Sequence, residues 1–254
     1  MRYYTMLLLC CCTLPIVMVN GQSKDKLLFS ENNYAVYQNT GTKTYYLKKG
    51  NKIIQKDLQF CKSVGNGIQV IDQSGDMYFL DATLTRKKTI ESTPFFVCGT
   101  VPHFELSVKE TADDFIIIQK ETFFNYEGKI APEEIGRISK KKADKVFFLN
   151  KKTTFNFTGN FSIGSLLPAD PRLVIYSQKG RYGILGNPSH WLYDYITISN
   201  NLVAVKKDGL KGYYGISGLK YKTLGTFDHY LAGIELPDGR KGYLDTEGNE
   251  YVKP

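Results

Sequence analysis

A short β-hairpin, written three times near the C-terminus, constrains this chain more than any other feature. The three segments run from Leu173 to Gly186, Val203 to Gly218 and Gly233 to Gly248. Each opens on an apolar strand, passes through a polar turn containing Gly180, Gly209 or Gly239, and returns on a strand with aromatic residues beside Gly183, Gly215 and Gly242. Between copies, Leu192–Ile196 and Thr226–Tyr230 pair an aromatic residue with Asp194 and Asp228, so the unit reads as a hairpin plus an aromatic-Asp connector. Looser copies lie upstream, at Tyr34 to Leu47 and Ile68 to Asp81. Two more, Asp114 to Gly128 and Lys145 to Gly159, keep the aromatics and lose the turn glycine. Roughly seven units result, at periods in the range typical of stacked repeats.

The physical logic of such a unit is consistent. β-Branched and aromatic residues suit a pleated, half-buried surface. Glycine supplies the positive φ of tight hairpin turns. One hairpin is marginal alone and needs neighbours to bury its aromatic face. The expectation is an all-β fold of tandem hairpins stacked into a twisted sheet or solenoid-like array. Closure into a β-propeller is the alternative, although a unit of about 30 residues is short for a four-stranded blade of ~40–45. No long amphipathic helix is foreseen. Lys109–Asp114 and Glu133–Lys145 are expected to be short helical or irregular insertions, with Pro132 suited to a helix start. A stiff link at Leu167-Pro168-Ala169-Asp170-Pro171 divides a divergent region, 22–167, from a regular one, 168–254.

Residues 1–21 read as a cleaved export signal. Arg2 provides the positive start, Met6–Val19 is apolar apart from Thr13, and Val19-Asn20-Gly21 suits cleavage. An uncleaved anchor, or lipid attachment through Cys10, Cys11 or Cys12, are the competing readings. No second apolar stretch long enough to span a membrane follows. The expected address is periplasmic or extracellular, which makes nucleic acid a poor partner. The formal net charge of +8 comes from lysines scattered in pairs and triplets. Such lysines blunt strand edges and favour solubility, or favour an anionic partner such as a cell-wall polymer or membrane surface. Outside the signal only Cys61 and Cys98 remain, and a disulfide and two buried thiols are equally open.

No catalytic constellation emerges. His103, His190 and His229 share no metal-ligand spacing with each other or with the cysteines. Asp113-Asp114 and Glu133-Glu134 are adjacent, so on a strand they face opposite ways and do not pair as acid and base. Neither a nucleophile elbow nor a phosphate-cradling loop is present. No metal and no cofactor are expected. The feature with binding potential is aromatic density in the regular half, where Tyr182, Trp191, Tyr213, Tyr214 and Tyr243 are candidate ligand contacts flanked by Lys179, Lys211 and Lys241. Packing between hairpins is the competing account of the same side chains.

The C-terminal units resemble the bacterial WG-repeat family, whose unit has Trp-Gly, two apolar residues, Asp, a short turn and Gly. Gly242-Tyr243-Leu244-Asp245-Thr246-Glu247-Gly248 looks like that unit, with Lys241 where Trp would stand. Tyr182-Gly183 and Tyr214-Gly215 occupy the Trp-Gly place, and the single tryptophan, Trp191, lies outside it. The likeness covers about residues 173–254. It implies a repeat architecture with interaction roles and offers no catalytic residues to carry over. The expected function is therefore an exported, non-enzymatic scaffold for a protein or envelope partner. The alternative is a carbohydrate or cell-wall binding module built on the Tyr-rich hairpins.

Overall fold

The computed structural model describes residues 25–31, 34–90, 102–123, 131–148, 152–154, 174–187, 192–199 and 202–253. Every regular element among them is a β-strand, and every strand pairing is antiparallel. The strands form six small sheets. Sheet one holds β1 (Lys26–Glu31), β2 (Tyr34–Gln38), β3 (Tyr45–Lys49) and β4 (Lys52–Leu58) in that order. Sheet two holds β5 (Phe60–Val64), β6 (Gly67–Ile71), β7 (Met77–Leu80) and β8 (Arg86–Lys87). Sheet three is ordered β11 (Glu133–Ser139), β10 (Asp114–Phe123), β9 (Pro102–Glu110), β13 (Lys152–Thr154). Sheet four is β12 (Lys145–Phe148), β14 (Val174–Gln178) and β15 (Arg181–Ile184). Sheet five is β16 (Tyr195–Ser199), β17 (Leu202–Lys207) and β18 (Leu210–Tyr213). Sheet six is β19 (Thr223–Asp228), β20 (Leu231–Glu235), β21 (Lys241–Asp245) and β22 (Glu250–Val252). The expected tandem all-β hairpin architecture is the observed one. No barrel or propeller closure is seen among the described residues.

Two turn chemistries build these meanders. Lys179-Gly180 and Asp208-Gly209 are two-residue loops with both residues at positive φ, 51° and 77° in the first, 51° and 81° in the second. That is the twist-matched hairpin turn, and glycine at its second position carries no Cβ penalty. The other turn is keyed by an aspartate. Asp245 Oδ1 accepts the amides of Glu247 and Asn249, each at 2.8 Å, while Gly248 takes the left-handed position at φ 89°. Asp72 does the same for Ser74 and Asp76, and Asp81 for Thr83 and Thr85. The Asp of the C-terminal motif is thus a turn keystone.

The carboxyl of Asp81 is held below the usual carboxylate range, chiefly by the Thr83 hydroxyl and then by the Thr85 amide. A carboxylate depressed by folding adds stability above its unfolded pKa, and the contribution vanishes as pH falls through the folded value. The melting temperature is therefore expected to drop as pH is lowered below about 4. Scanning calorimetry across that window should give a shallower loss for Asp81→Asn, which does not titrate.

Each pair of adjoining sheets encloses its own apolar cluster. Val36, Leu47, Ile68 and Val70 join sheets one and two. Tyr213, Phe227, Ile234 and Leu244 join five and six, Ile184 and Val203 join four and five, and Ile117, Ile138 and Val174 join three and four. A further cluster of Phe60, Ile71 and Leu231 unites sheet two with sheet six, far apart in sequence. The packed order is one, two, six, five, four, three. At the junction of two and six, Gln69 is fully buried and clamps one turn. Its Nε2 donates to the Asp228 carbonyl at 2.8 Å and its Oε1 accepts the Tyr230 amide at 3.0 Å. Lys62 with Glu247, and Lys253 with Asp76 at 2.6 Å, pair across the same junction.

Pairing register corrects several sequence expectations. Gly183 opposes Tyr176, Gly212 opposes Val205 and Gly242 opposes Ile234. The equivalent strand glycines are therefore Gly183, Gly212 and Gly242, an almost even period of about 30 residues. Gly215 instead lies beyond β18 in a turn, at φ 81°. The residues that precede these strand glycines are Tyr182, Lys211 and Lys241. The connector also shifts: Tyr193 bridges Tyr182 as Tyr221 bridges Lys211, so Tyr221 and not Phe227 is its counterpart.

Glu133–Ser139 is a strand, not a helix, because β10 offers it a hydrogen-bonding edge and Gly136 fits against Leu185. Glycine in a helix interior is unfavourable in any case. Lys109 and Glu110 finish β9, and Thr111–Asp113 is the tight link to β10. Asp114–Phe123 is one continuous strand, and β12 and β13 pair with different sheets, so neither upstream unit lacking a turn glycine is a hairpin. Residues 1–24, Cys98, Leu167–Pro171, His190 and Trp191 lie outside the described residues.

Candidate functional site

The tyrosines singled out in the regular half are dispersed over three sheets and mostly inward. Tyr213 is 2% exposed, packs on Phe227 with ring centroids 5.0 Å apart, and donates its hydroxyl to the Gly225 carbonyl at 2.8 Å. Tyr214 packs against the cluster between sheets four and five, and Tyr243 against the one between two and six. Tyr182 is half-buried on β15 with the Phe147 ring edge-on at 6.3 Å. These rings are not brought together: Tyr182, Tyr214 and Tyr243 are half-buried, and Tyr213 is taken up by packing between sheets. The same holds for Tyr221, fully buried, whose hydroxyl donates to Glu250 Oε1 at 2.6 Å.

An exposed aromatic assembly exists instead on sheet one. Along β2, Tyr34 and Val36 point into the core, so Ala35 and Tyr37 face outward. The register Leu27↔Tyr37↔Tyr46 carries that outward row across three strands, and Ser30↔Ala35↔Lys48↔Ile53 carries a second across four. Tyr37 and Tyr46 stack at 5.2 Å with planes 7° apart, an arrangement worth ~0.5–1.5 kcal/mol beyond burial. The Lys48 ammonium lies 5.0 Å and 5.5 Å from the two ring centroids. Tyr46 donates its hydroxyl to Asp25 Oδ2 at 2.8 Å, and desolvation followed by that bond pushes it up to about 12. It stays neutral throughout the physiological range.

Apolar side chains flank this platform. Leu27 is 51% and Ile53 50% exposed, with Leu28 and Ile54 beside them at the β-bulges of the two edge strands. Four of the six large exposed hydrophobics among the described residues therefore sit on β1 and β4. Six lysines, Lys26, Lys43, Lys48, Lys49, Lys52 and Lys56, accompany three acids, Asp25, Glu31 and Asp57, over residues 25–58. Asp25 and Glu31 accept tyrosine hydroxyls, and Asp57 pairs with Lys56 at 4.0 Å. The alternation around Tyr34–Tyr37 is readable in the sequence. Its outward tyrosine escaped notice because Tyr34 and Tyr37 look alike until a core defines the inner face.

Beside sheet one, Gln55, Lys56, Leu58, Asp72, Gln73, Ser74 and Tyr78 line a shallow open cleft of about 400 Å³. Gln55 Nε2 donates to the Tyr78 hydroxyl at 3.2 Å, and Arg86 lies 3.9 Å from the Tyr78 ring centroid. Among the described residues no three His, Cys, Asp or Glu side chains gather as for a metal ion. His229, 3% exposed at φ 57°, sits edge-on to Phe79 at 5.3 Å with Nδ1 2.8 Å from Asp228. Cys61 is a buried free thiol whose pKa burial pushes up. No helix among the described residues is long and apolar enough to cross a membrane.

With this geometry in hand, likeness to other proteins adds little. No family model matches the chain, and no curated protein matches it. Among solved structures, the computationally designed Ika8 protein matches at 12% identity over 90% of this chain and 86% of that one, with a TM-score of 0.20. A score that low carries no argument.

Proposed function

We propose that this chain is an exported, non-enzymatic β-repeat scaffold that engages a protein or envelope partner through the outward face of sheet one. The observation that carries the reading is the platform of Tyr37, Tyr46, Leu27 and Ile53, an apolar and aromatic surface on a rigid sheet. Exposed apolar surface of this kind, rimmed by polar residues, marks interaction sites. The tyrosine-for-packing economy of the regular half supports a scaffold role for sheets four to six. The likeness of Gly242–Gly248 to a WG-type unit belongs to the same proposal, with the Asp245 turn as its supporting feature. Export rests on the apolar run Met6–Val19.

The test is association of the protein with its own envelope extract, for the wild type and for Tyr37→Ser/Ile53→Ser. Retention is expected to fall about tenfold in the double variant, as for loss of a small apolar hot spot. Equal retention removes the sheet-one reading. Mass spectrometry of the recovered protein should show a chain starting at Gln22, and an intact Met1 would falsify cleavage.

A further inference from the structure

We propose that Tyr37 and Tyr46 form an oxidative modification site, at which a haem peroxidase with hydrogen peroxide couples the two rings into a dityrosine cross-link. The site does not depend on what the sheet-one face binds. Four observations define it. The two residues are direct partners across the β2–β3 ladder, which sets their Cβ atoms ~4.5–5.5 Å apart. Their rings stack at 5.2 Å with planes 7° apart. The Tyr46 hydroxyl donates to Asp25 Oδ2 at 2.8 Å. The Lys48 ammonium sits 5.0 Å and 5.5 Å from the two ring centroids.

The carboxylate and the ammonium act together on the chemistry. Removing an electron alone would leave a cationic phenol beside the Lys48 charge, which like-charge repulsion opposes. The electron therefore leaves together with the phenolic proton, and Asp25 already holds a hydrogen bond from that hydroxyl. The result is a neutral phenoxyl on Tyr46, with the proton passing through Asp25 to water. The peroxidase takes a second electron from Tyr37, whose hydroxyl proton goes to water. One carbon–carbon bond then forms between ring carbons ortho to the two oxygens. The hydrogen on each of those carbons shifts to oxygen and restores both phenols. Two hydrogen atoms are lost in all, and one hydrogen peroxide takes them up to become two waters. The bond ties β2 to β3, the middle strands of sheet one and so of the end layer of the stack.

Other tyrosines lack part of this set. Tyr34 and Tyr221 donate to carboxylates but are buried. Tyr251 donates to Asp245, yet the ring set edge-on to it is Phe60. Tyr195 is 58% exposed, but Lys206 stands opposite it on the neighbouring strand.

The experiment treats the full chain, kept dilute, with a haem peroxidase and hydrogen peroxide. A monomeric product lighter by two hydrogen atoms is expected, with the blue fluorescence of dityrosine. Proteolytic digestion should yield a linked peptide pair that holds Tyr37 and Tyr46. Tyr37→Phe and Tyr46→Phe should each abolish that pair at an unchanged melting temperature, because the ring is kept. Asp25→Asn should slow the coupling about tenfold, less than the ~100-fold of a well-placed base, since water can take the proton at an exposed hydroxyl. Tyr195→Phe should couple as wild type. The proposal is overturned by cross-links only between chains, by a linked pair that survives either phenylalanine variant, or by an unchanged rate in Asp25→Asn. Absence of any lighter monomer overturns it too, and leaves the envelope-association test of the same face to stand or fall by itself.

Discussion

Gln69→Ala is expected to destabilise the fold by about 3 kcal/mol, by removing the clamp that joins sheet two to sheet six. The side chain is fully buried and both ends of its amide are used on backbone groups of the His229 turn. Truncation leaves the Tyr230 amide without its partner, takes the side-chain donor from the Asp228 carbonyl, and opens a void beside Phe79. A buried polar group stripped of its partner costs more than a made hydrogen bond contributes, so the asymmetry sets the size. Gln69→Met separates the two effects because it refills the space without the amide. Urea unfolding should find Gln69→Met nearly as destabilised as Gln69→Ala. Recovery of wild-type stability in Gln69→Met would mean that packing, not hydrogen bonding, holds the junction.

The second large effect concerns the three equivalent strand glycines, which differ in what lies over them. A Cβ at Gly242 would come within 3.0 Å of the Tyr251 carbonyl oxygen and of the Val252 Cα, and one at Gly212 within 3.0 Å of the Gly218 carbonyl. Backbone cannot swing aside, so Gly242→Ala and Gly212→Ala should each cost about 3 kcal/mol or more. At Gly183 the obstacle is the Tyr176 ring, a side chain that can rotate away. Gly183→Ala is therefore expected to cost about 1 kcal/mol. Thermal unfolding of the three variants tests the order. A Gly183→Ala variant as damaged as Gly242→Ala would show that the Tyr176 ring is held as firmly as backbone.

Much of the local structure was legible. The turn glycines Gly180, Gly209, Gly239 and Gly248 lie where positive φ is needed. Period-two alternation in β2, and the continuous apolar run of β17, marked their strands. Register was harder, because Gly212-Tyr213-Tyr214-Gly215 offers two glycines to any alignment and only hydrogen-bond pairing with Val205 selects Gly212. Glu133–Ser139 was misread because nothing local announces that β10 presents an open edge. In the aromatic-dense regular half, Tyr213 and Tyr221 are taken up by packing between neighbouring sheets. At Tyr37 and Tyr46 the same residue type is left outside, since nothing described packs on that face.

By itself, the sequence determined that the chain forms hairpins, that glycine and aspartate make its turns, and that its aromatics line half-buried sheets. These are properties of a few consecutive residues: allowed φ, side-chain alternation and short hydrogen bonds back to the main chain. Which sheets become neighbours was decided only in three dimensions. Sheet six packs on sheet two because Leu231, Phe60 and Gln69 find each other across the length of the chain, a match no local rule encodes. The functional surface follows from the same fact. A face becomes available for a partner only when assembly of the other sheets leaves it uncovered.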